Sequence, residues 1–314
     1  MGDPHHREPL SNPFRKDDLM TEIQSPPGYA LGSDPDERER LRRQAKDLAT
    51  DTVTLLSHVD LRRGGRVLDL GCGPAGSIEL FAGRVGRAGS VTAVDIDPVH
   101  VESARRLVRD RRLDNVEVLQ ADGRATGLPP ASFDLVHARM LLVNVPSPER
   151  VVAEMVRLVK PGGWVIVQEP DCEAHICYPP HAGWDQLTGI LHAGYHTDGA
   201  DLLIGRRLST LLREAGLTDI GADARADVYP AGHPRRTVLA DLVRSMRGKV
   251  VERGIASEEE LADVDRRVRE HLANPETVTM SSLYFLVWGR KPTKRAPYSG
   301  GQCAGVQSPS GSVV

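Results

Sequence analysis

The stretch Val67-Leu68-Asp69-Leu70-Gly71-Cys72-Gly73-Pro74-Ala75-Gly76 decides how the chain is read. A short apolar run ends in Gly71, Gly73 and Gly76, the spacing G-x-G-x-x-G, and a helical pattern follows. Glycines there permit a tight turn and let a ligand approach the backbone, and the helix N-terminus behind them attracts negative charge. By itself the spacing fits a dinucleotide site and also fits ordinary turn glycines. Asp69 narrows the choice. A carboxylate two residues before Gly71 disfavours a pyrophosphate and suits a ligand that carries an ammonium group.

Working outward, the hydrophobic period alternates between strand and helix. Upstream, Asp34-Pro35-Asp36-Glu37 has the form of a helix start, and Leu41, Ala45, Leu48, Thr52, Leu55, Leu56 and Val59 follow at helical spacing. One long amphipathic helix to about Val59 is expected. Downstream, strands are expected at 66–70, 91–95, 116–120, 133–137 and 164–168, with helices opened by Asp97-Pro98 and Ser147-Pro148 and a Pro161-Gly162-Gly163 turn before the fifth strand. Strands separated by helices of this length imply βαβ units and a parallel sheet, with the ligand at the carboxyl ends of the strands. Acids recur at those ends: Asp69, Asp95 and Asp122. Asp95 can accept two hydrogen bonds from ribose hydroxyls, and Asp122 can accept from an adenine amino group. A nucleoside joined to an amine, with no phosphate, describes S-adenosylmethionine (SAM).

The last third is less regular. A helix is expected at 208–215, a strand from Leu217 to Tyr229, helices over 235–253 and 257–272, and a closing strand over 282–288. Ser257 with Glu260 forms a capping-box pattern.

On Asp69-Leu70-Gly71-Cys72-Gly73, Asp95, Asp122-Gly123, the strand Phe133 to His137 and Leu158-Val159-Lys160-Pro161-Gly162-Gly163, the chain resembles the class I SAM-dependent methyltransferases of the small-molecule branch, the type found in ubiquinone biosynthesis. The resemblance covers roughly residues 60–172, and the closing strand fits the family's antiparallel seventh strand. It implies a doubly wound, Rossmann-like α/β fold with a seven-stranded sheet, mostly parallel with an antiparallel last strand. It further implies that Asp69, Gly71, Cys72 and Gly73 line the methionine end of SAM, that Asp95 holds the ribose with Ile96 on the adenine, and that Asp122 and the Gly123 amide meet the adenine amino group. Ala138 and Arg139 would lie beside the methionine moiety, although Arg139 reads equally well as a structural ion-pair partner. Tyr29 would close over the cofactor as part of a lid, with simple packing as its other reading.

The expected organisation is a disordered arm over 1–18, a helical lid over 19–60, and a SAM-binding domain over 61–291 with pocket insertions at 173–203 and 231–275. A disordered tail over 292–314 follows. Composition limits the function classes. Of 314 residues, 40 are Lys or Arg and 43 are Asp or Glu, a net charge of −3. That balance is unlike a dedicated nucleic-acid binder. No membrane span or secretory leader is visible. The four cysteines, Cys72, Cys172, Cys177 and Cys303, show neither disulfide density nor metal spacing. The expectation is a cytoplasmic enzyme with no metal, no nucleic-acid partner and no membrane partner. The oligomeric state stays open, a homodimer among the options.

The stretch after the fourth strand, His137-Ala138-Arg139-Met140-Leu141, lacks the motif that nucleic-acid amino methyltransferases of this fold carry there, and no Pro-Cys nucleophile follows it. The expected acceptor is therefore a small molecule, a specialised metabolite. His175, Tyr178, His181, Trp184, His192, Tyr195 and His196 would furnish a moderately apolar pocket. Asp171 and His175, just past the fifth strand, are the candidate bases, needed only where the acceptor must lose a proton. Two other readings are a SAM-fold protein with a binding or non-methylating role, and an NAD(P)-dependent oxidoreductase, which Asp69 and the Pro-Gly-Gly turn oppose.

Overall fold

The structure is a computed structural model, and it describes residues 35–293 apart from 75, 197–198 and 281. The chain starts with α1 (Pro35–Asp47) and α2 (Ala49–Ser57), then runs through β1 (Arg66–Leu70), α3 (Ile78–Val85), β2 (Ser90–Asp95), α4 (Pro98–Arg111), β3 (Val116–Gln120) and β4 (Phe133–Arg139). A 3-10 turn at Leu142–Asn144 leads to α5 (Pro148–Leu158) and β5 (Val159–Asp171). The later part holds β6 (Ile176–Tyr178), α6 (Ala182–His196), α7 (Ile204–Glu214), β7 (Thr218–Arg225), α8 (Val238–Ser245), α9 (Arg247–Glu252), α10 (Glu258–Ala273), β8 (Val278–Met280) and β9 (Leu283–Arg290).

Seven strands form one sheet in the order β3-β2-β1-β4-β5-β9-β7. The first five pair in parallel, and β9 runs antiparallel to both of its neighbours, β5 and β7. This is the expected doubly wound sheet. Its central strands are apolar on both faces, as a sheet covered by helices on each side requires. On one face Val67, Leu135, Ile166 and Leu286 pack with Leu55, Leu56 and Phe81 of α2 and α3. On the other, Leu68, Val136, Ala138, Val165 and Val167 pack with Val151, Met155 and Leu158 of α5 and with Leu208 and Leu212 of α7.

Local signals explain most boundaries. Asp97 caps α4 by accepting from Val99 N at 2.7 Å, with Pro98 in the first turn. The Ser257–Glu260 capping box at α10 is present in both directions. Elsewhere the expectations need correction. The single helix to Val59 is two helices, broken at Leu48. Leu48, at the junction, is buried. The helix over 235–253 is likewise a 3-10 turn, α8 and α9. The fifth strand begins at Val159, so the Pro161-Gly162-Gly163 turn lies within it. A two-stranded ribbon, β6 with β8, was not anticipated. The expected arm over 1–18, Tyr29 and nearly all of the expected tail lie outside the described residues, as does the Asp34 cap.

Candidate active site

One cavity opens at the carboxyl ends of β1, β2 and β4, where the switch in strand order parts the crossovers. Its wall carries Asp69, Gly71, Cys72 and Gly73 from the glycine loop, and Asp95 and Ile96 from the end of β2. Asp122, Gly123 and Arg124 follow β3, and His137 and Arg139 come from β4. Residues expected from the sequence over a span of seventy positions are thus brought to one surface.

The glycine loop is shaped for close approach. Gly71 has φ +70°, and a Cβ on it would lie 2.8 Å from Leu141 Cδ1. Gly73 has φ +61°, and a Cβ there would meet nothing within 4 Å, so its backbone faces open cavity. Asp95 holds this loop: Oδ2 accepts from Gly73 N at 2.8 Å and Oδ1 from Asp97 N at 3.0 Å. Each carboxylate oxygen has a further lone pair, so Asp95 keeps the capacity for two ribose hydroxyls.

Asp69 is buried, with Oδ1 2.7 Å from His137 Nδ1 and Oδ2 accepting from Ser77 N at 3.0 Å. It therefore ties β1 to β4 and to the start of α3. With Nδ1–H donating to Asp69, the opposite nitrogen of a neutral His137 is an acceptor. That atom, Nε2, is fully enclosed, has no hydrogen-bond partner, and belongs to a residue on the cavity wall. The open backbone at Gly73, with acids at the strand ends on the same wall, fits a polar ligand with an amino-acid end. Arg139 donates to Thr52 Oγ1 at 3.1 Å. Burial lowers its guanidinium pKa, against the pull of Asp69 and Asp51.

Three expected residues stand differently. Ala138 is wholly buried in the core rather than on the wall, because strand alternation turns His137 and Arg139 to the opposite face. Asp122 is gripped by Arg124, whose Nη2 donates to Oδ2 at 2.7 Å and whose backbone N donates to Oδ1 at 2.8 Å. The guanidinium lowers the Asp122 pKa and uses most of its lone pairs. Asp171 is off the wall too, ion-paired with Arg206 and accepting from Glu173 N at 3.1 Å, so it is tied down as a structural acid. His175, by contrast, lines the cavity.

The rest of the same cavity is a chamber walled by Leu41 and Ala45 of α1, Val143 and Val145, Leu191 and Tyr195 of α6, Leu239 and Leu242 of α8, and Tyr284 of β9. Helices of both late insertions pack together there, α6 against α8 and α10. His137, at the end of the fourth strand, reads from the sequence as a buried hydrogen-bonded residue near the site, and it is one. Arg124 and Gln44 were not singled out, since they lie on a loop and a helix whose approach to the site is tertiary. Among the described residues there is no cluster of metal-ligating side chains.

A family model described as a methyltransferase domain matches residues 68–167. The methyltransferase str3 of Strobilurus tenacellus is 30% identical over 70% of this chain and 76% of its own length. The chain belongs to the class I SAM-dependent methyltransferases. Its cofactor is SAM. Aklanonic acid methyltransferase DauC from Streptomyces sp. strain C5 is 33% identical, over 34% of this chain and 49% of that protein. The chain spans about half to three fifths of the length of other curated relatives that it matches. The crystal structure of a Bacillus halodurans C-125 protein classed as a methyltransferase shares the fold, with a TM-score of 0.57 at 18% identity over 78% of this chain and 100% of that one. No helix among the described residues is long and apolar enough to cross a membrane.

Proposed function

We propose that the protein transfers the SAM methyl group to an apolar small molecule, a specialised metabolite, seated in the chamber between α1, α6 and α8. The observation that carries this reading is the continuity of the cavity from the open Gly73 backbone to the leucine- and valine-lined chamber. SAM supplies a methyl group already activated on a sulfonium. The chain's own part is to hold both ends. Asp95 accepts from the ribose, Ile96 packs on the adenine, and the Gly123 amide serves the adenine edge. Asp69, with Gly71, Cys72 and Gly73 beside it, favours the ammonium.

Leu41, Val143, Leu239 and Leu242 exclude water and fix the acceptor, so that much of the rate enhancement comes from orientation. His175, on the chamber wall, takes the proton when the acceptor is a hydroxyl or enol. The distant relative named for aklanonic acid is in keeping with such an acceptor. The test is incubation with SAM and a panel of apolar phenols, enols and amines, read by product mass. A gain of one CH2 unit is expected, and it should fall at least about tenfold in His175→Gln for hydroxyl acceptors. Turnover of an acceptor to a product of unchanged mass would favour a non-methylating role.

A further inference from the structure

Glu169 is the penultimate residue but one of β5, and it is completely buried. Its side chain lies on the side of the sheet that carries Val165 and Val167. It takes three backbone donors from the segment that follows β4: Leu141 N at 2.9 Å and Leu142 N at 2.8 Å on Oε1, and Val143 N at 3.2 Å on Oε2. That segment opens at Met140, whose φ of +55° is a left-handed conformation for a side-chain-bearing residue. Met140, Leu141, Val143 and Asn144 all line the cavity. Leu141 is the side chain that would meet a Cβ on Gly71, and it also reaches the Gly123 position at 3.7 Å. One buried acid thus sets the wall shared by the glycine loop, the loop after β3 and the acceptor chamber.

We infer that the ionised Glu169 carboxylate is a positioning residue for this wall, and that its protonation releases the 140–144 turn and weakens binding of the cofactor. Three N–H donors converge on the anion. A protonated acid would present a hydroxyl where the backbone offers only further donors. Burial is opposed only by those N–H groups and raises the carboxyl to a pKa of about 7, so the exchange of forms falls in a working pH range. The groups around it do not share that titration. Cys172, just past the end of β5, is raised to about 12 by burial, and Arg206 of α7 is engaged by Asp171. Tyr284 of β9 is raised by burial, and Arg139 of β4 lies on the opposite face of the sheet.

The inference uses SAM binding as a readout but not the identity of the acceptor. S-adenosylhomocysteine is titrated calorimetrically into the wild type and Glu169→Gln at pH 6 and pH 8. If only the ionised form binds, the wild-type dissociation constant rises about tenfold from pH 8 to pH 6. The variant should be at least about tenfold weaker than wild type at pH 8 and should lose that part of the pH dependence. His100, His137 and His175 line the cavity in both proteins alike, so the difference between the two profiles isolates Glu169. A folded variant with wild-type affinity and the wild-type pH ratio overturns the proposal. Amide exchange on the unmodified, ligand-free protein gives a second reading, independent of variant folding and of the cofactor. Protection factors at Leu141, Leu142 and Val143 should drop at pH 6 relative to those in α5, and equal protection at both pH values overturns the proposal.

Discussion

The two ends of the cavity are built on opposite principles. All the acids on its wall, Asp69, Asp95, Asp97 and Asp122, belong to the glycine-loop end, and each already holds backbone or side-chain donors. The chamber end has no wall acid and is lined mainly by leucine and valine, with Ala45, His175, Tyr195 and Tyr284 beside them. A ligand of fixed chemistry can be met by hydrogen-bond acceptors preset at strand ends, where the sheet makes them rigid. A ligand chosen by size and shape is met by helices that join the sheet from far along the chain. The cofactor end should therefore be intolerant of small changes and the chamber end tolerant of them.

The largest effect should come at Gly71. Gly71→Ala forces a left-handed backbone, at about 1–2 kcal/mol, and presses on Leu141, at about 1–3 kcal/mol more. Denaturant unfolding should show the loss, and calorimetry should show no S-adenosylhomocysteine binding. Asp95→Ala follows, with binding weakened by about 1.5–3 kcal/mol. An unchanged dissociation constant in the folded variant would remove Asp95 from the ribose.

A smaller effect concerns the loop that carries Asp122. Glu154 accepts from Thr126 N at 2.9 Å and pairs with Arg157, which draws its pKa down from 4.5 to about 2. The folded value is depressed, so the stabilisation is complete above about pH 4.5 and is lost as pH falls toward 2. Glu154→Gln should flatten that limb of the acid-unfolding curve by about 1 kcal/mol, discounted for the partly exposed arginine. The smallest effect is expected in the chamber. Leu242→Ala should leave S-adenosylhomocysteine affinity within about twofold, because it shortens a side chain remote from the strand ends. A large loss there would erase the contrast between the two ends.

The same contrast governs what could be read from the sequence. The positions of Asp69, Gly71, Gly73 and Asp95 on the cavity wall were legible because they follow from local order: a strand, a turn, a capped helix. Asp122 was legible as a position but not in its bonding, since Arg124 two residues later is an equally local partner that took the carboxylate. Ala138 was misplaced by one step of strand alternation. Asp171 was displaced by Arg206, thirty-five positions on, a pairing that no short-range pattern encodes. The ribbon of β6 and β8 and the break at Leu48 are tertiary outcomes as well. Glu169 sits in an apolar run, where its charge was the one visible signal.

The place of β9 has a consequence for synthesis. It is the last strand of the sheet in chain order, and it lies between β5 and β7. While the ribosome is still making residues before 283, β7 has no strand to pair with, and β5 presents an open edge. The five parallel strands can assemble early, with short crossovers between them. The part of the wall carried by Ser282 and Tyr284 must wait until β9 has been made. A nascent chain halted in α10 would thus expose two sticky strand edges, the state in which a chaperone is most needed and in which one chain can capture another.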